Sequence, residues 1–101
     1  MGNRVDLHAY FKTLLGSSNV YYQPPESIKM KYPAIRYKLK DIINRSADDS
    51  VYSQKNAYEV IVIDPNPDSS IRDKISRLPL CSFDRGYAAD NLNHYVFTLY
   101  Y

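Results

Sequence analysis

A single cysteine, Cys81, stands in the 101-residue chain, so no internal disulfide can form and a cysteine-rich zinc site is excluded. Glycine is nearly as scarce. Gly2, Gly16 and Gly86 are too few and too scattered to build a glycine-rich phosphate cradle. There is no tryptophan, and no apolar run is longer than Val60 to Ile63, far short of the roughly 20 residues a membrane-spanning helix needs. Neither sign of charge dominates. Thirteen Lys and Arg against eleven Asp and Glu leave a net charge of +2, too small to act as a general nucleic-acid or membrane address. Met1-Gly2-Asn3-Arg4 leads into a charged amphipathic segment rather than an apolar signal sequence, so the expectation is a protein made and folded in a cytoplasm. A chain this short builds one core, and a deep cleft would have to be made with neighbours.

What the chain does have is tyrosine, eleven of them beside three phenylalanines. A tyrosine offers a large apolar ring and a hydroxyl that seeks a partner, which suits surfaces that are wet in a monomer and covered in an assembly. Strand propensity accounts for at least half of them without any such role.

Leu7, Tyr10, Phe11, Leu14 and Leu15 recur at helical spacing and predict an amphipathic helix over residues 4 to 15, closed by Gly16, with His8 off the apolar stripe and exposed. Asn19 to Tyr22 is a short strand stopped by Pro24-Pro25. From Pro33 the pattern alternates, with Ile35, Tyr37 and Leu39 on one face and Arg36, Lys38 and Lys40 on the other. Residues 44 to 56 are polar and turn-prone and read as a long hairpin loop. Ala57 to Asp64 is a central strand with apolar residues on both faces, and Asp68 or Ser69 caps a short helix carrying Ile71, Ile75 and Leu78. Strands over 80 to 87 and 93 to 101 follow. The order α-β-β-β-α-β-β implies a single α+β domain over residues 1–101, a mainly antiparallel sheet with both helices on one face. Its expected core layer sets Leu7, Phe11, Leu14, Ile71, Ile75 and Leu78 over Ile35, Leu39, Phe97 and one face of the Ala57 to Asp64 strand.

Residues able to carry chemistry are few. His8 and His94 form an acid–base pair only if the fold joins them, and Cys81 between Leu80 and Ser82 reads as a small core residue rather than a nucleophile. The acids Asp48, Asp49, Asp64 and Asp68 lack the glycine and alternating spacing of a calcium loop and read as turn and cap residues. No metal or cofactor is implied. The cluster Lys29, Lys31, Arg36, Lys38 and Lys40 with Tyr32 and Tyr37 has the ingredients of a single-stranded nucleic-acid platform, but Tyr37 lies on the face opposite the strand's charges. A solvated or subunit-facing surface is the simpler reading.

The runs Val20-Tyr21-Tyr22-Gln23-Pro24-Pro25-Glu26-Ser27, Tyr32-Pro33-Ala34-Ile35, Tyr58 to Ser69, Leu78-Pro79, Cys81-Ser82-Phe83-Asp84-Arg85 and Asp90 to Tyr101 form a pattern. Together they resemble the tail-terminator (tail-completion) proteins of long, non-contractile-tailed bacteriophages. The similarity covers most of the chain from about residue 19 and spans no catalytic motif. It implies a ring-forming α+β subunit, commonly a hexamer, that caps the tail-tube protein, stops its polymerisation and meets the head-completion connector, with DNA passing through the lumen and the protein residing in the virion. On that basis the interface candidates are Arg36, Lys38, Lys40, Arg45, Asp48, Asp49, Tyr52 and Lys55. A head–tail stopper or another neck protein would have the same size and composition. A nucleic-acid-binding module using Lys29 to Lys40 and a small hydrolase using His94 or Cys81 are the readings from other classes.

Overall fold

The computed structural model describes residues 4–24, 29–46 and 52–101. Helix α1 spans Arg4–Leu15, and strand β1 spans Val20–Tyr22. Strands β2 (Ala34–Ser46) and β3 (Tyr52–Asp64) follow, then helix α2 (Ser70–Ser76) and strands β4 (Cys81–Ala89) and β5 (Leu92–Tyr100). The element order is the one the sequence implies. The described strands join one sheet in the order β1-β2-β3-β5-β4, in which β1–β2 is parallel and the other described pairings are antiparallel.

The local signals act as their chemistry dictates. Gly16 takes φ 77°, and its amide donates to the Lys12 carbonyl at 2.9 Å, closing α1. The buried Ser69 hydroxyl accepts from the Arg72 amide at 3.2 Å, so Ser69 rather than Asp68 caps α2. Asp90 and Asn91, with φ 54° and 62°, make the two-residue turn that joins β4 to β5. That turn shortens the connector expected at residues 88 to 91 and extends β4 to Ala89.

The larger correction falls on the loop expected at residues 44 to 56. Residues 44–46 and 52–56 are strand, and residues 47–51 lie outside the described residues. β2 and β3 each run for 13 residues, and their register continues through Ile42↔Asn56, Ile43↔Lys55, Asn44↔Gln54 and Arg45↔Ser53 to Ser46↔Tyr52. The residues Asn44-Arg45-Ser46 and Tyr52-Ser53-Gln54-Lys55 show no apolar alternation, so periodicity alone does not mark them as strand. A strand of this length spans roughly 40 Å at about 3.3 Å per residue, which accounts for principal extents of 52 × 23 × 23 Å.

One face of the sheet carries both helices. Leu7 and Phe11 of α1 and Ile71 and Ile75 of α2 pack with Val20, Ile35, Tyr37, Tyr58, Val60, Val62, Phe97 and Leu99 in one buried cluster. Leu14 and Leu78 pack at its margin. Two positions differ from expectation: Tyr10 is exposed, and Leu39 is exposed at 37% because it lies on the stretch of β2 that leads out to the ribbon, beside the irregularity between Leu39 and Asp41. Tyr37 is the centre of the aromatic packing. Its ring meets Phe11 edge-on at 5.2 Å and Tyr58 at 5.9 Å, and lies 4.9 Å from Tyr22.

Candidate functional site

The second face of the sheet carries no helix among the described residues, and the pairing register arranges its side chains in rows across the strands. One row runs Tyr21, Arg36, Ile61, Val96, Arg85, and the next runs Lys38, Glu59, Thr98, Ser82. A third sets Ala34, Ile63, His94 and Tyr87 side by side. Arg36, Lys38 and Lys40 are exposed on this face, on the side of β2 that the alternation places them.

The acids of the face hold part of that charge. Lys38 Nζ lies 3.9 Å from Glu59 Oε1, an exposed pair that contributes little to stability. The buried Thr98 hydroxyl donates to Asp84 Oδ2 at 2.6 Å and accepts from Lys40 Nζ at 3.3 Å, so Lys40 reaches across β3 to a group anchored between β5 and β4. Among the described residues Arg36 and Arg85 have no ion-pair partner. The rings of Tyr87 and His94 stack at 4.7 Å and 9°. Arg85, Asp84, Thr98 and the Tyr87–His94 stack are members of this surface that sequence reasoning passed over. The alternation of β5 places His94, Val96 and Thr98 on one face, but its alignment with the basic face of β2 depends on the β3 register.

Of the other interface candidates, Arg45, Tyr52 and Lys55 take register positions on the ribbon, opposite Ser53, Ser46 and Ile43 respectively. Asp48 and Asp49 lie outside the described residues. The six described candidates therefore fall in two places, three on the open face and three along the ribbon.

The three groups considered for chemistry are apart from one another in role. His8 is on the helix side and His94 on the open side of the sheet, so the topology does not bring them together as a pair. His8 is not free in solvent as its place off the apolar stripe suggested. Its Nδ1 lies 2.6 Å from the Tyr37 hydroxyl, and the rings tilt against each other at 5.7 Å. Partial burial, then the charges of Lys12 and Arg4, hold its pKa below the ordinary value of 6.5. Burial pushes the Tyr37 hydroxyl up, so it stays protonated, and the imidazole tautomer sets which of the two groups donates.

This arrangement has a pH signature. As pH falls below 6.5 the unfolded chain protonates at His8 before the folded chain does, so stability declines through that window and levels off once both states are protonated. Thermal unfolding followed between pH 7 and 5 is expected to show a steeper decline for the natural chain than for His8→Gln. Equal slopes would mean the imidazole titrates alike in both states.

Cys81 is half-buried against the core cluster, and burial, followed by the charge of Asp84, pushes its thiol up to about 11, which keeps it protonated at neutral pH. No group of three or more His, Cys, Asp or Glu among the described residues is placed to hold a metal ion. No described helix is long and apolar enough to cross a membrane. No family model matches the chain, and no curated protein matches it.

Proposed function

We propose that the chain is a structural subunit of the neck of a long-tailed bacteriophage, a tail terminator that forms a ring on the last layer of tail-tube protein, stops polymerisation and offers its other side to the head connector. The observation that carries this reading is the ribbon of β2 and β3, which runs four register pairs past the Ile42↔Asn56 position where the body ends. A two-stranded ribbon is marginal in water on its own, so its place is against another subunit or the tube. The pattern of residues from Val20 to Tyr101 that resembles tail terminators supports the same assignment, and a head–tail stopper is its nearest variant. The open face then offers Arg36, Lys38 and Lys40 to the lumen or to an acidic neighbour.

Electron micrographs of tails assembled with and without the protein test it. Tails of uniform length in its presence and overlong tubes in its absence are the expected result. Equal length distributions would overturn the terminator assignment, and uniform tails that fail to join heads would favour the stopper.

One observation favours a reading from another class. Tyr21 and the Tyr87–His94 stack share the face of Arg36 and Arg85, which supplies the aromatic surface beside cations that Tyr37 does not. A nucleic-acid platform would bind single strands with a steep loss of affinity as salt rises. A ring protein keeps a defined oligomer at low and high salt.

A further inference from the structure

β4 is the outermost strand of the sheet, nine residues long and free of proline, and eight of its nine residues are exposed. The direction of its backbone groups follows from its two ends. At the start, the Leu80 carbonyl accepts from the Tyr100 amide at 3.1 Å, so Leu80 faces β5, and the alternation of an antiparallel ladder turns the amide and carbonyl of Cys81 and Phe83 away. At the end, the two-residue turn makes Ala89 and Leu92 the bonded pair, which turns Gly86 and Ala88 outward. The irregularity between Phe83 and Arg85 interrupts this row of groups without ending it. Such an edge is a template for another extended strand.

The chain contains a matching edge. β1 pairs with β2 only at Ile35, Arg36 and Tyr37, so from Lys38 to Ser46 the outer side of β2 has no strand beside it among the described residues. This stretch is as long as β4. Both edges carry exposed apolar side chains on the helix side of the sheet. On β4 it is Phe83, 56% exposed, whose ring meets Phe97 edge-on at 5.4 Å. On β2 they are Leu39 and Ile42, which the register places beside Tyr58 and Asn56 and which are 37% and 46% exposed. The formal charges are opposite in balance. The β2 edge holds Lys38, Lys40 and Arg45 against Asp41, and β4 with its turn holds Asp84 and Asp90 against Arg85.

We infer that β4 of one copy pairs edge to edge with the Lys38–Ser46 stretch of β2 in the next copy, continuing the sheet from subunit to subunit. A continuous sheet keeps its faces, so Phe83 meets Leu39 and Ile42 of the neighbour on the helix side. Each copy uses one edge of each kind. The contact is therefore heterologous, of the kind that builds a ring when the rotation between copies closes, and that closure rests on the ring-forming reading above. A two-fold β4-to-β4 contact would leave the β2 edge unused.

Ala88→Pro tests the pairing, because it removes an outward-facing N–H that the monomer does not use, and edge strands tolerate proline there. Ala88→Lys is the comparison, since it changes the side chain and keeps the N–H. Oligomer size by sedimentation, in solution and on purified tail tubes, is expected to show rings for the natural chain and Ala88→Lys. For a folded Ala88→Pro chain it should show loss of the ring. In a Cys81→Ser background, chains carrying Ala88→Cys mixed with chains carrying Leu39→Cys, both on the helix side of the sheet, should join through a short bis-maleimide. This measurement decides the matter if Ala88→Pro does not fold. Rings formed by a folded Ala88→Pro chain, rings whose mixed chains do not join, or joining between Ala88→Cys chains alone would overturn the edge pairing and leave the ring reading standing. A natural chain that stays monomeric both in solution and on tail tubes would overturn both.

Discussion

Replacing Phe11 with alanine is expected to lower the free energy of unfolding by about 3–5 kcal/mol, the range found for truncating a buried aromatic side chain. Phe11 is fully buried, and its ring meets Tyr37 edge-on at the centre of the cluster that joins α1 to β1, β2 and β3. The void left would be walled by Tyr37 and the aliphatic side chains of the cluster, none of which can move in without abandoning another contact. Domains of this size hold only about 5–15 kcal/mol in total, so the variant sits near its unfolding threshold. Val5→Ala on the same helix, at a position 65% exposed, should change stability by no more than about 0.5 kcal/mol. Urea unfolding of the two variants measures the difference, and a cost below about 1 kcal/mol for Phe11→Ala would mean that α1 is not docked as described.

Excising the ribbon is expected to have the opposite profile, with little loss of stability and loss of function. Replacing residues 44–54 by Asn-Gly would close the hairpin on the Ile43↔Lys55 pair, since Asn56 turns its own amide and carbonyl to Tyr101, with a two-residue turn suited to strand twist. The body keeps its core, since the cluster residues Ile35 and Tyr37 of β2 and Tyr58, Val60 and Val62 of β3 all lie outside the excised segment. The melting temperature should shift by no more than a few degrees while ring assembly and control of tail length are lost. A collapse of stability accompanied by normal assembly would make the ribbon part of the fold rather than an arm of the assembly.

The contrast between these two variants also explains which parts of the molecule were legible in the sequence. The helices and the body of the sheet were readable because burial forces a period on the residues: Leu7 and Phe11 recur with the helical turn, Ile35 and Tyr37 with the pleat. The ribbon was not, since its mostly polar residues carry no period for a reader to find. Leu39 misled in the other direction. It continues the alternation of β2, but the layer it would pack into ends at Tyr37. The open face was half legible. The basic stripe of β2 shows in its own residues, whereas the link from Lys40 through Thr98 to Asp84 joins three strands and exists only after β3 has been placed between β2 and β5. His8 is a further case, because a helical position that is off the apolar stripe can still meet the hydroxyl of a long side chain rising from the sheet below.

The gathering of rings around Tyr37 also makes the docking of α1 visible to spectroscopy. With no tryptophan in the chain, the near-ultraviolet circular dichroism arises from tyrosine and phenylalanine held in asymmetric surroundings. Exposed rings such as Tyr10 and Tyr32 are free to average much of their signal away, whereas Tyr37 is locked among Phe11, Tyr22 and Tyr58. The far-ultraviolet signal reports the backbone of helices and sheet. A state in which α1 has lifted from a sheet that is otherwise intact would lose the first signal and keep most of the second, the mark of secondary structure without fixed packing. Coincidence of the two on heating or in urea would show that helix and sheet come apart as one cooperative unit.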